Sequence, residues 1–302
     1  MRLNGLFAAP FTPMNQDGSL RLSGIEAYAS KLKVDGVKGV FVCGTTGEGY
    51  SLTLDERKQV LKEWLRYQDV DFKVLAHVGT TSYLQSAELA RHAADSGAFA
   101  IGAMGPSFFQ PTRAEELVAY CARIAQEAPD LPFYYYHLPS MSGVNVSMIA
   151  FLTVASDLIP NLQGIKFTHN NLMEMQQCMM FENGKYEIIL GYDEVLLGGL
   201  ALGIKAAIGS TYNYMAPIYN EIISFFEAGN LEKARQLQRF SVKVVEQVLK
   251  FRGGVVAGKA IQSLCGIECG PCRVPLQTLS DREIQHLRND LVQLDFFKRI
   301  AP

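Results

Sequence analysis

Eight short apolar runs, each closing in a glycine-rich or polar turn, limit the fold of this chain more than any other feature. They cover residues 5–13, 39–44, 73–79, 100–105, 132–137, 162–168, 187–192 and 206–211. Most are separated by stretches of helical period. Thr53-Leu54-Asp55-Glu56 is a capping box that opens a helix towards Tyr67. Residues 82–96 are alanine-rich and stop at Gly97, and residues 113–128 set Leu117, Cys121 and Ile124 on one stripe before Pro129. Shorter helices are expected over 147–156, 171–181 and 194–202. Strands that are apolar throughout and alternate with helices make a parallel sheet covered by those helices. Eight such units close into a (β/α)8 TIM barrel. An open doubly wound sheet fits the same alternation, but the first run carries no GxGxxG. Beyond the eighth run no strand pattern remains, and residues 216–228, 231–250 and 280–294 read as helices. The expected organisation is an α/β barrel over 1–228 with a C-terminal helical extension over 229–302 packed on it.

Composition narrows the function. With 302 residues, 48% hydrophobic and 19% charged, the chain can bury a large core and is not disordered. Its 28 basic and 30 acidic side chains are mixed and leave a net charge of −2. That balance points away from nucleic acid or an anionic membrane as a partner. Met1-Arg2-Leu3-Asn4 leads directly into the first run with no signal-like apolar core, so a soluble, cytoplasmic protein is expected. Six scattered cysteines fit reduced thiols. Cys265, Cys269 and Cys272 have the C-x3-C-x2-C spacing of an open iron–sulfur site, yet they sit late in the chain among Gly266, Gly270 and Pro271, as in an ordinary loop.

A barrel carries its chemistry at the carboxyl ends of its strands. Those ends hold Gly44-Thr45-Thr46-Gly47-Glu48, Tyr136-His137, Lys166 with Thr168, Asp193-Glu194 and Ser210-Thr211-Tyr212-Asn213. Lys38, Lys73 and Lys205 lie at amino-terminal ends, which leaves Lys166 as the one strand lysine placed to act. Gly164, Lys166 and Thr168 share one face of their strand, and Ile165 and Phe167 share the other. If the apolar pair meets the outer helices, the lysine points inward. Desolvation there favours the neutral amine, a nucleophile that forms Schiff bases with ketones. The plainer alternative is a strand-end lysine reaching into solvent. The hydroxyls and amides of Thr45 and Thr46 suit a carboxylate, although the same loop also reads as a tight turn. Tyr134-Tyr135-Tyr136 read as core aromatics or as a proton-transfer group, and Asp193 and Glu194 as helix-opening acids or as site acceptors. His77, His92, His137, His169 and His286 are isolated in sequence, and no set of His, Asp and Glu has metal-ligand spacing. Chemistry without metal or cofactor is expected.

Five of these segments, taken in order, carry a resemblance that covers essentially the whole chain. They are Gly44-Thr45-Thr46-Gly47-Glu48, Tyr136-His137-Leu138-Pro139 with Ser142-Gly143, Gly164-Ile165-Lys166-Phe167-Thr168, Gly191-Tyr192-Asp193-Glu194 and Gly209-Ser210-Thr211-Tyr212-Asn213. Together they resemble the N-acetylneuraminate lyase / dihydrodipicolinate synthase family of Schiff-base aldolases. The resemblance implies that Lys166 forms an imine with the keto carbon of an α-keto acid and that Thr45 and Thr46 bind its carboxylate. Tyr136 is implied as the proton-transfer residue, with Thr168, Gly191, Asp193, Glu194 and Ser210 holding the hydroxylated end of the substrate. The synthase branch carries an arginine just after the fifth-strand motif. Here Pro139-Ser140-Met141-Ser142-Gly143 offers no base, while Asp193 and Glu194 suit hydroxyls and repel a second carboxylate. Cleavage of N-acetylneuraminate is therefore the expected reaction, ahead of another 2-keto-3-deoxy sugar acid, the synthase reaction, or a sensor that binds a keto acid without turnover. The family also implies a homo-oligomer, a dimer or tetramer. Some relatives complete a proton relay with a neighbouring subunit's tyrosine after the fourth strand, where this chain has Phe108 and Phe109.

Overall fold

In the computed structural model, which describes residues 2–300, the eight runs become eight parallel strands. These are β1 (Gly5–Ala8), β2 (Gly39–Val42), β3 (Lys73–His77), β4 (Ala100–Ala103), β5 (Phe133–His137), β6 (Leu162–Phe167), β7 (Glu187–Leu190) and β8 (Ala206–Gly209). Each pairs with the next, and β1 pairs with β8 from Gly5↔Ala206 to Ala8↔Gly209, so the sheet is a closed barrel and not an open one. The strands are shorter than the apolar runs. The runs continue into loops that are buried without ladder pairing; Phe11 and Thr12 after β1 are an example.

Strand alternation divides the core into two. Phe7, Phe41, Leu75, Tyr134, Tyr136, Ile189 and Ile208 fill the barrel interior. Leu6, Val40, Val42, Val74, Ile101, Tyr135, Ile165 and Phe167 face outward into the layer under the helices. Ile165 and Phe167 on the outer side leave Lys166 on the inner one.

The outer layer is built by α1 (Ile25–Val34), α2 (Leu54–Leu65), α3 (Tyr83–Asp95), α4 (Ala114–Ala125), the single turn α5 (Pro139–Ser142), α6 (Met148–Leu158), α7 (Leu172–Met180), α8 (Leu196–Leu202) and α9 (Tyr212–Glu227). The capping box at Thr53 and Glu56 forms as the sequence predicts. The ninth helix starts before the expected residue 216. Pro217 inside it suggests a later start, because proline removes a backbone donor. The first turn is held instead by buried Tyr212, Asn213 and Tyr214, and Asn213 Nδ2 donates to the carbonyls of Ala9 and Ser210, each at 2.7 Å.

The extension contains α10 (Leu231–Lys250), α11 (Gly253–Leu264), α12 (Asp281–Gln293) and α13 (Phe296–Arg299). The sequence reading missed α11 because Gly253, Gly254 and Gly258 dilute its helical period. Gly258 is required there: a Cβ at that position would press into the Phe11 ring, 2.5 Å from its tip. The extension is fastened to the barrel by charge. Lys259 of α11 meets Glu48 at 2.7 Å with both side chains buried, and Lys259 Nζ donates to Pro271 O at 2.7 Å. The Arg273 amide donates to the second Glu48 oxygen at 2.8 Å. Its guanidinium bonds Ser51 O and the Glu56 carboxylate and holds that carboxyl down at about 2. Among the described residues no helix is long and apolar enough to cross a membrane.

Candidate active site

At the carboxyl end of the barrel lies a cavity of about 430 Å³. Thr45, Thr46, Tyr136, Lys166, Thr168, Gly191, Asp193, Glu194 and Ser210 all line it, so the fold gathers around one space every residue to which the resemblance gave a role. A larger hollow of about 600 Å³ opens at the opposite end, around Arg2, Asn4, Glu187 and Lys205, away from these groups.

Lys166 is 5% exposed, with its Nζ 3.6 Å from the centre of the Tyr136 ring and 5.4 Å from that of Phe41. Two aromatic faces thus flank the amine, and Asp193 across the cavity is close enough to feel its charge. The Tyr136 hydroxyl lies 3.4 Å from Thr45 Oγ1, so a proton can pass between the two. The ring of Tyr136 is in turn fixed edge-on between Phe41 and His77, at 5.7 and 5.8 Å. His77 is anchored from behind by buried Arg57, which donates to the carbonyls of His77 at 2.6 Å and Gly79 at 3.0 Å.

The threonine pair sits on a loop tightened by Glu48 N–H bonding Thr45 O at 3.0 Å and Gly49 N–H bonding Gly44 O at 3.1 Å. Thr46 is buried and Thr45 half-buried. On the far wall, Asp193 is buried. Its Oδ2 accepts from the Thr211 amide at 2.8 Å and hydroxyl at 2.7 Å, and its Oδ1 has no partner. Burial, helped by the like charge of Glu194, pushes its carboxyl up to about 6. Thr168 Oγ1 is likewise buried and unpartnered. Two glycines make these approaches feasible: a Cβ on Gly209 would overlap the Asp193 carboxylate, and one on Gly191 would overlap Thr168 Oγ1. The cavity therefore sets a buried amine beside a hydroxyl pair at one end and the Asp193 and Glu194 carboxylates at the other.

The extension supplies the roof. Val245, Val248 and Leu249 of α10 and Val255 and Val256 of α11 line the cavity together with Arg252 between the helices. Sequence reading treated these helices as an appendix and did not find this wall. The Arg252 guanidinium is paired with Glu283 and donates to the carbonyls of Gln277 at 3.0 Å and Thr278 at 3.3 Å. It is thus neutralised locally and adds no free cation for a second carboxylate.

One expectation about metal-binding groups changes, and it concerns the histidines. The three late cysteines form no compact set of ligand atoms among the described residues, and burial raises Cys269 to about 12 and Cys272 to about 11, which keeps them as thiols. The histidines are not all isolated. His137 and His169, far apart in sequence, meet edge-to-face at 5.4 Å because they follow the inward residues of neighbouring strands, and Glu174 joins them. This group lies outside the barrel wall, against Tyr135 and Phe167, and does not line the cavity.

Comparison with known proteins agrees along the whole chain. Residues 2–294 match the model of the dihydrodipicolinate synthetase family. An N-acetylneuraminate lyase of Gallus gallus is 42% identical, over 94% of this chain and 93% of that protein. The solved N-acetylneuraminate lyase (sialic acid aldolase) of Aliivibrio salmonicida superposes with a TM-score of 0.95 at 40% identity, covering 98% of each chain. The Proteus mirabilis N-acetylneuraminate lyase gives 0.95 at 38% identity, over 98% of this chain and all of that one. The chain belongs to the dihydrodipicolinate synthetase family and groups within it with the N-acetylneuraminate lyases.

Proposed function

We propose that the chain is a class I aldolase that reversibly cleaves N-acetylneuraminate into N-acetyl-D-mannosamine and pyruvate. The observation that carries this reading is the Lys166 amine, buried against the Tyr136 ring at 3.6 Å, with the Tyr136 hydroxyl within reach of Thr45. In the proposed reaction the neutral Lys166 amine attacks the C2 ketone, and uptake of one proton with loss of water gives a protonated imine. Thr45 and Thr46 hold the neighbouring carboxylate. Tyr136 accepts the proton of the C4 hydroxyl as the C3–C4 bond breaks, and the imine takes up the electron pair as an enamine. The freed aldehyde is N-acetylmannosamine. Tyr136 returns the proton to C3, and hydrolysis of the imine releases pyruvate and the amine. The 3.4 Å contact with Thr45 supports an exchange of protons within one chain, where Phe108 and Phe109 provide no hydroxyl.

Thr168, the Gly191 backbone, Asp193, Glu194 and Ser210 would hold the polyol. Their common place in the cavity wall supports that role. With no free base in residues 139–143 and Arg252 paired to Glu283, a substrate with a second carboxylate is disfavoured. A barrel over 1–228 roofed by the extension over 229–302, a cytoplasmic location and a homo-oligomeric state, dimer or tetramer, complete the proposal. The six free cysteines support the location.

Borohydride reduction in the presence of pyruvate tests the chemistry, and pyruvate release coupled to lactate dehydrogenase tests the substrate. The adduct is expected on Lys166, and Lys166→Ala should have no turnover. N-acetylneuraminate should give a higher kcat/KM than 2-keto-3-deoxygluconate; the reverse order would move the chain to a different sugar acid.

A further inference from the structure

The histidine group outside the barrel wall is unused by the chemistry above. His137 is 2% exposed, and neither of its ring nitrogens has a hydrogen-bond partner; His169 Nδ1 is also buried and unpartnered. An imidazole as deep as His137 normally donates at least once, so three orphaned nitrogens side by side, two on His137 and one on His169, call for a missing partner. That partner is not Glu174. Its Oε1 accepts the Met148 amide at 2.7 Å, and it bonds neither ring although one ligand atom from each residue lies within 4.8 Å of the others. Two neutral imidazoles and one carboxylate are a typical donor set for zinc, which takes them tetrahedrally with a fourth position for water.

We propose that His137, His169 and Glu174 form a zinc site that staples β5 to the segment after β6. Bonds of about 2.0–2.2 Å place tetrahedral ligands about 3.4 Å apart. The set therefore has to contract by a small side-chain movement, which half-buried His169 and Glu174 can make while His137 stays fixed. The Met148 amide already orients the carboxylate, as an outer partner does in established sites. The staple would reinforce a joint the backbone already makes, where the Thr168 amide donates to His137 O at 2.8 Å. Its neighbours in the chain are Tyr136 and Thr168, whose side chains face the cavity on the other side of the wall. The metal would set the spacing of these strand ends and take no part in bond cleavage.

The test uses full-length protein stripped with a chelator and dialysed. Titration with Zn²⁺ is expected to show one ion bound per chain, and Co²⁺ to give the intense visible bands of a tetrahedral site. Zn²⁺ should raise the Tm of the wild type. His169→Gln and Glu174→Gln, both at half-buried positions that the fold tolerates more readily than a change at His137, should weaken binding at least tenfold and lose the Tm increase. Borohydride trapping with pyruvate should proceed in the stripped protein and in both variants, which keeps this result independent of the proposed reaction. Failure to bind one equivalent, or binding that the two substitutions leave unchanged, would overturn the site.

Discussion

Asp193 is the charge in the cavity whose state depends most on its surroundings. One oxygen is committed to Thr211, the other is buried against Gly209, and burial with Glu194 nearby raises its carboxyl to about 6. As an acceptor for substrate hydroxyls it must be ionised, so kcat/KM should rise with pH through an apparent pKa near 6 and level off above it. Asp193→Asn should abolish this limb and lower kcat/KM by roughly 10–100-fold, the worth of a hydrogen bond to a charged group. The sign for stability is opposite. Because the folded pKa lies above the ordinary 3.8, the group favours the fold at low pH, and that contribution is lost as pH rises through about 6. The candidate site residues could be picked out in sequence at strand ends, Lys166 by its inward face and Thr45 and Thr46 by their loop, while the roles proposed for them came from the family resemblance. Their states were not legible. The orphaned Oδ1 of Asp193 depends on Thr211 and on a missing Cβ at Gly209, and neither follows from the spacing of 193 and 194.

At the scale of elements, the loop after β2 and helix α11 act together through Glu48 and Lys259, whose side chains are 1% and 2% exposed. Removing one partner leaves the other buried and charged, at a cost of about 3–5 kcal/mol. Glu48→Gln should therefore lower stability by that order in denaturant unfolding, and the double change Glu48→Gln with Lys259→Met should recover much of the loss. Since the same loop carries Thr45 and Thr46, Glu48→Gln should also raise the KM for pyruvate in the condensation direction. The strands and most barrel helices could be read from apolar period and caps. Helix α11 could not, since its glycines serve the fit against Phe11, a contact no local rule encodes. With α11 hidden, the roof of Val255, Val256 and Arg252 was hidden as well, and Glu48 read only as the end of a loop motif.

For the whole molecule, the largest exposed aromatic feature is the edge-to-face pair Phe108 and Phe109, 79% and 85% exposed with ring centres 5.0 Å apart. Aromatic side chains so exposed are characteristic of interfaces, in keeping with the homo-oligomer proposed above. Phe108→Ser with Phe109→Ser should shift sedimentation towards a smaller species, whereas an unchanged profile would place the interface elsewhere. The closed barrel itself was legible from the count of eight runs, but how its last part returns to its first was not. That return has a consequence for biosynthesis. The Glu48 carboxylate is bonded by an amide 225 residues later in the chain, and β1 waits for β8 to complete its ladder. A ribosome therefore releases the loop of Thr45 and Thr46 long before anything exists to hold it, and loop closure over such a span is slow. Competence for turnover should appear only once the end of the chain has left the exit tunnel, so a nascent chain arrested after β8 would contain every proposed catalytic residue and still be inactive.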